Sequence, residues 1–247
     1  MLKAENINKT FKRGHNTVFA VKDAELLVEK GERVYIHGPS GAGKSTLLHI
    51  LGGLAKPTSG KVMFEDKDMY SLGDRKRSRV RNRHFGFVFQ FYHLLPELNV
   101  IENVMLPAMM KGGKSRSAIR RSAKELLGRV GMWERAEHRP GEISGGEAQR
   151  TAIARALING PAVLLCDEPS GNLDSKRSAE IYDLIHEISE DKGMSVVVVS
   201  HQEMKRHFFH TEYFMKDGML RRVKNDMVQT ADGVRHMNGS IEIRTIV

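Results

Sequence analysis

The chain has 247 residues, enough for one α/β domain with a smaller lobe and an ample apolar core. Its mixture of 40% apolar and 28% charged residues is that of an ordinary soluble protein, and apolar runs such as Val196–Val199 fall far short of the roughly 18 residues a membrane span needs. The net charge of +9 favours an anionic neighbour: nucleotide, nucleic acid or acidic lipid.

The first residues, Met1–Glu5, lack the apolar core of a secretory signal, and the single cysteine, Cys166, leaves no internal disulfide and fits a reducing compartment. The expectation is a cytoplasmic protein whose membrane role would come through a partner. In chain order, an amphipathic start over Leu2–Asn8 leads to a turn near Arg13–Asn16. Val21–Val28 and Arg33–His37 read as strands, Lys44–Leu54 as a helix, and Gly60–Phe64 as a strand after the Pro57–Gly60 turn. The densest positive run, Arg75–Arg83, reads as a solvated helix face. It carries no interleaved aromatics, which makes nucleic-acid binding the weaker alternative.

Phe85–Gln90 is compact and strand-like. From Leu94 to about Gly160 helical spacing dominates, with Ile119, Ala123, Leu126, Leu127 and Val130 on one face. Ala162–Cys166 and Ser195–Ser200 are continuous apolar runs, as in fully buried parallel strands, with a helix over Ser178–Ser189 between them. The implied fold class is α/β with a mostly parallel sheet and a helical insert. Past Leu220, Ser240–Arg244 alternates apolar and polar and predicts a small edge strand.

Three places carry chemistry. Gly38-Pro39-Ser40-Gly41-Ala42-Gly43-Lys44-Ser45 fits the phosphate-loop pattern and lies between a predicted strand and a predicted helix. Glycines let backbone N–H groups wrap a phosphate, and the helix adds its positive end. Lys44 would reach the β- and γ-phosphates and the Ser45 hydroxyl would ligate Mg²⁺. A flexible glycine turn is the structural alternative. The apolar strand that ends in Asp167-Glu168 supplies the second half: Asp167 for Mg²⁺ and Glu168 to polarise the attacking water. Alone, such a pair is more often a helix cap or turn; beside the phosphate loop it becomes a strong signal. His201 and Gln90 each follow a predicted strand at the sheet edge where ligands gather, His201 as a γ-phosphate contact and Gln90 as a metal or water ligand. Either is otherwise an ordinary surface residue. Cys166 reads as a small buried hydrophobe.

Taken in order, these pieces resemble the ABC ATPase family. The specific marker is Ile143-Ser144-Gly145-Gly146-Glu147, similar to that family's LSGGQ signature with glutamate for the commoner glutamine. The resemblance covers roughly residues 1–222. It implies a P-loop NTPase core (1–90 and 160–222) with an N-terminal antiparallel β element and a helical subdomain over about 91–159; 223–247 form an extension past it. By resemblance, nucleotide binding falls to Phe11, Gly38, Ser40, Gly41, Ala42, Gly43, Lys44, Ser45, Thr46, Ser144, Gly145, Gly146 and Glu147. Catalysis falls to Glu168, His201 and Gln90, and Mg²⁺ to Ser45, Gln90 and Asp167. Ser170-Gly171-Asn172-Leu173-Asp174 matches the D-loop. Ser45–Leu54, Phe89–Pro96 and His138-Arg139-Pro140 look most like the lipoprotein-releasing group, beside macrolide-exporter and cell-division members.

The resemblance further implies an ATP-sandwich homodimer, integral membrane permease partners, and a peripheral place on the cytoplasmic face of the inner membrane. No specific nucleic acid is expected, since neither the long coiled coils of DNA-repair relatives nor a second cassette is present. Phe91–Asn99 is the candidate docking segment, with packing inside the helical lobe as the alternative.

Overall fold

A computed structural model describes residues 1–14, 16–171, 173–201 and 208–223. Two long strands open the chain, β1 (Leu2–Arg13) and β2 (Asn16–Val28), paired antiparallel in a hairpin that sets Leu2 opposite Val28 and Phe11 opposite Val18. β1 also pairs antiparallel with β4 (Ser59–Phe64), and β5 (Lys67–Asp68) closes that edge.

The other half is parallel. β3 (Arg33–His37), β6 (Phe85–Val88), β7 (Val163–Asp167) and β8 (Ser195–Ser200) lie side by side in the order β3-β8-β7-β6. β9 (Thr211–Lys216) runs parallel to β3, turns antiparallel into β10 (Met219–Arg222), and β10 meets β2 to join both halves into one mixed sheet. The α/β class with an antiparallel N-terminal element is what the chain adopts.

Helices cover both faces. Because successive strand residues point to opposite sides, Val34, Ile36, Leu165, Val197 and Val199 face α1 (Lys44–Leu51) and pack on Leu47, Leu48, Ile50 and Leu51. Tyr35, Leu164, Cys166, Val196 and Val198 face the other core, shared with α3 (Val100–Lys111), α4 (Arg116–Arg129), α5 (Gly145–Leu157) and α6 (Ser175–Lys192). All six residues of β8 are buried, which explains a strand with no polar alternation. The basic run forms α2 (Asp74–His84), a helix with no buried residue.

Several boundaries move. The first helix stops at Leu51 rather than Leu54, because Gly52 and the positive-φ Gly53 end it. β6 ends at Val88, so Gln90 lies two residues past the strand. The helix expected over Ser178–Ser189 starts at Ser175, where Asp174 caps it by accepting from the Lys176 and Arg177 N–H groups, and it runs to Lys192 before a left-handed Gly193. The expected strand at Ser240–Arg244 lies outside the described residues, as does Asn172.

Candidate active site

The loops that leave the carboxyl ends of β3, β6, β7 and β8 carry the phosphate loop, Gln90, Glu168 and His201 to one edge of the parallel sheet. The phosphate loop is held tightly from below. A side chain at Gly38 would collide with the Met215 carbonyl of β9, and one at Gly43 with the Ala20 carbonyl of β2. The Ala42 carbonyl accepts from Gly218 N–H (3.1 Å), whose own carbonyl accepts from Lys22 N–H (2.8 Å). Within the loop Ala42 is buried, Ser40, Gly41 and Ser45 are exposed, and Thr46 is half-buried. Gly43 stands left-handed as N-cap of α1, and no side chain caps that helix.

Lys44 is buried and its ammonium donates to the Gly38 and Pro39 carbonyls (2.8 and 3.0 Å). Burial holds its pKa below the ordinary lysine value, against the opposing pull of the Glu168 and Asp167 carboxylates. Ser45 Oγ donates to Asp167 Oδ1 at 2.8 Å, and His49 Nε2 stands 3.6 Å from Oδ2. Burial raises the Asp167 pKa, with the Ser45 hydrogen bond working the other way. Two hard oxygen donors, a hydroxyl and a carboxylate, are therefore side by side. Among the described residues no cluster of three or more His, Cys, Asp or Glu could hold a metal. That donor set suits Mg²⁺, which takes one or two protein oxygens beside phosphate and water.

Glu168 has φ +47, a left-handed backbone that costs a non-glycine residue about 1 kcal/mol or more and recurs at functional sites. Its neighbours hold it there. Its N–H donates to the Val199 carbonyl (2.9 Å), Ser200 Oγ donates to Oε2 (3.0 Å), and His201 Nδ1 lies 2.9 Å from Oε1. Gln90 reaches the same neighbourhood: its side chain lies close enough to Gly171 that a Cβ there would be 3.0 Å from Nε2. Cys166 is fully buried, and desolvation pushes its thiol pKa up, which removes it as a nucleophile.

Phe11 is 47% exposed with the Lys9 ammonium 5.0 Å from its ring centre. It pairs with Val18 across the hairpin, on the strand whose Ala20 carbonyl abuts Gly43 of the phosphate loop.

The signature turn is built differently and apart from these groups. Ser144 is the N-cap of α5: its Oγ accepts from Glu147 N–H (3.4 Å) while Glu147 Oε2 accepts from Ser144 N–H (2.8 Å). That backbone hydrogen bond is the main cause of a Glu147 pKa below the usual carboxylate range. Ser144, Gly146 and Glu147 line a concavity of about 130 Å³ with Arg150, Leu173 and Arg177, and neither Lys44 nor Asp167 lines it.

Three connections were not legible in the sequence. Gln149 is buried and donates to the Pro169 carbonyl (2.6 Å), tying the signature helix to the loop after Glu168. The Tyr92 hydroxyl packs on Gly145, where a Cβ would stand 2.7 Å away, and Arg155 Nη2 donates to the Tyr92 carbonyl (2.6 Å). In the segment after Gln90, Phe91 (65%) and Leu95 (42%) are exposed while Tyr92 turns toward Gly145, so internal packing accounts for Tyr92 and leaves Phe91 and Leu95 on the surface.

Comparison with known proteins agrees with this geometry. The ABC transporter family profile matches residues 21–171. The lipoprotein-releasing system ATP-binding protein LolD of Shewanella oneidensis is 44% identical over 221 residues, 90% of this chain and 96% of that protein. LolD of Geobacter metallireducens is 45% identical over 220 residues, 89% and 97% of the two chains. Among solved structures, the dimeric post-hydrolysis state of the ATP-binding cassette MJ0796 bound to ADP and Pi superposes with a TM-score of 0.85 at 40% identity, covering 91% of this chain and 98% of that one.

Proposed function

This chain belongs to the ABC transporter family as an ATP-hydrolysing subunit, and on that premise we propose that two copies close around two ATP molecules to drive an integral membrane partner in lipoprotein release. The observation that carries the two-copy reading is the separation within one chain. Lys44, Ser45, Asp167 and Glu168 form one half-site, and the concavity at Ser144 is another that none of them lines. A second copy brings its Ser144, Gly145 and Gly146 over the first copy's phosphates, with Phe11 under the adenine. The cargo is proposed from the LolD relatives, whose names state it and whose length this chain matches almost fully. The expected place is the cytoplasmic face of the membrane; among the described residues no helix is long and apolar enough to cross it.

The residues divide the work as their contacts suggest. Lys44 already stands at the mouth of the loop on two carbonyls, and exchanging them for β- and γ-phosphate oxygens moves it little. Ser45 and Asp167 would hold Mg²⁺, with Gln90 the proposed further ligand; that ion neutralises phosphate charge when bound. Glu168 takes the proton from the attacking water as the bond between the β-bridging oxygen and the γ-phosphorus breaks, leaving ADP and phosphate. Ser200 and His201, one on each oxygen, fix the orientation of the carboxylate. Loss of the γ-phosphate removes the contact between the copies and lets them part. Phe91 and Leu95, exposed beside Gln90, are the proposed docking contacts for the membrane subunit.

Co-purification in gentle detergent tests the reading. The chain should bring down an integral membrane subunit, and the complex should hydrolyse ATP faster than the isolated chain by holding two copies together. Phe91→Ser and Leu95→Ser should weaken that assembly and leave ATP binding unchanged. Salt-resistant stimulation by duplex DNA with no membrane protein recovered would overturn the proposal.

A further inference from the structure

The basic helix α2 takes no part in the site described above, and its charges fall into two sets. Arg77 and Arg81 turn inward and are engaged by the fold, although Arg77 Nε is buried without a hydrogen-bond partner. Arg77 donates to Asp74 (2.8 Å) and the Leu72 carbonyl (3.2 Å) and lies over the Tyr70 ring, and Arg81 donates to the Gly53 carbonyl (2.9 Å) and Ser78 Oγ (2.7 Å). Arg75, Lys76, Arg79 and Arg83 are exposed and form no hydrogen bond or ion pair among the described residues. Positions 75, 79 and 83 recur every fourth residue, and 76 lies beside them, so the four make one outward stripe about 12 Å long.

This stripe works against the helix that carries it. Arg75 and Lys76 occupy the first turn, where the helix dipole disfavours positive charge, and 75/79 and 79/83 are like-charge pairs at i,i+4. On other helices three arginines are paired, Arg120 with Glu137 (2.7 Å), Arg129 with Asp191 (2.6 Å) and Arg150 with Glu180 (2.9 Å), while the exposed Arg116 and Arg121 of α4 have no such partner among the described residues and form no row of four. An unpaired, self-repelling row suits an external polyanion better than it suits the fold.

What adjoins the stripe narrows the choice. The Asn82 side chain donates to the Pro107 carbonyl (3.1 Å), and Asn159 bonds both Asn82 and Pro107, so the end of α2 is tied to the last turn of α3. That turn exposes Met109 (47%) and Met110 (74%) and ends in Lys111. A basic row beside exposed flexible apolar side chains, with no aromatic residue on the helix to stack on bases, matches a lipid interface rather than a nucleic acid. We propose that the outward face of α2, with Met109 and Met110, binds anionic lipid headgroups and gives this subunit a membrane contact of its own. The proposal rests on the reading of the chain as a membrane-apposed subunit. It deepens that reading, since one weak lipid contact beside a protein partner is the two-signal arrangement that peripheral attachment requires.

The test is vesicle flotation of the full chain, without nucleotide, at physiological salt. Vesicles of phosphatidylcholine alone are compared with vesicles one-third phosphatidylglycerol. The protein should float with the anionic vesicles only and release as salt is raised. The variant carrying Arg75→Gln, Lys76→Gln, Arg79→Gln and Arg83→Gln should lose about 5-fold in vesicle affinity per residue, about 600-fold if the four add. A control with the same charge loss on α4 (Arg116→Gln, Arg120→Gln, Arg121→Gln, Arg129→Gln) should lose far less. ATP turnover of the stripe variant should equal that of the parent, which separates failure here from failure of the ATPase reading. Equal flotation with both vesicle types, equal loss in the two charge variants, or duplex DNA bound as tightly as the vesicles and lost with the same stripe would each overturn the lipid assignment.

Discussion

The phosphate loop and the signature turn each end in a helix N-terminus, yet they treat its free N–H groups in opposite ways. At α1 the N-cap is a left-handed glycine and no side chain caps the helix, so the donors and the dipole are left for a ligand. At α5 Ser144 and Glu147 close a full capping box. The first is a binding site held rigid by β2 and β9 beneath it. The second is internally capped, exposed, and has a carboxylate at its mouth. On the proposed reading this difference means that the phosphate loop would hold ATP alone, and that the signature turn would engage only when a phosphate arrives from outside to compete for Ser144. The long 3.4 Å contact from Glu147 N–H to Ser144 Oγ is the bond that would be exchanged.

Substitutions can break this contrast from either side. The largest effect should come at Glu168, which belongs to the binding half. Glu168→Gln keeps the ATP contacts and removes the proton acceptor, so turnover should fall by about 100- to 10,000-fold in a phosphate-release assay while ATP affinity stays. Full activity in that variant would move the base elsewhere. Lys44→Ala should weaken ATP by about 100-fold in calorimetry, because it deletes a desolvated charge aimed at the phosphates; unchanged affinity would remove the loop from the account.

Much of this was legible in the chain itself, and the reasons differ by element. Continuous valine and leucine runs identified β7 and β8 because those strands are buried on both faces, and the glycine spacing marked the phosphate loop because its backbone admits little else. β9 and β10 passed unread: Thr211–Lys216 has no strong pattern of its own and becomes a strand through pairing with β3. The first turn of α6 was missed since its start signal is a cap at Asp174, not an apolar period. Contacts between distant segments, such as Tyr92 on Gly145 or His49 beside Asp167, have no local signature at all. Asn172 and 224–247 lie outside the described residues.

Smaller effects sharpen the comparison. The bond from Ser144 N–H holds the Glu147 pKa below the usual carboxylate range, and the negative charge there would oppose an arriving phosphate. Glu147→Gln can keep the capping box without the charge, so ATP-driven association should tighten by about 2- to 5-fold in sedimentation measurements. Association that weakens would mean that the Arg135 pair at 3.4 Å matters more than the repulsion. The smallest change is expected from ending the chain at Val223, which removes none of the site residues; basal hydrolysis should stay within a few-fold, and loss of nucleotide binding with the fold intact would place 224–247 at the site.

The claim that the signature turn acts in trans is tested most directly by gel filtration of Glu168→Gln with ATP and Mg²⁺, with and without Gly146→Asp. At Gly146 a Cβ has room, its nearest neighbour being Arg177 Cδ at 3.6 Å, so the fold should accept the aspartate while its charge faces the incoming phosphate. The account predicts a dimer for Glu168→Gln alone, and a monomer that still binds one ATP per chain at unchanged affinity for the double variant. A double variant that remains dimeric, or one that loses ATP binding as a monomer, would contradict it.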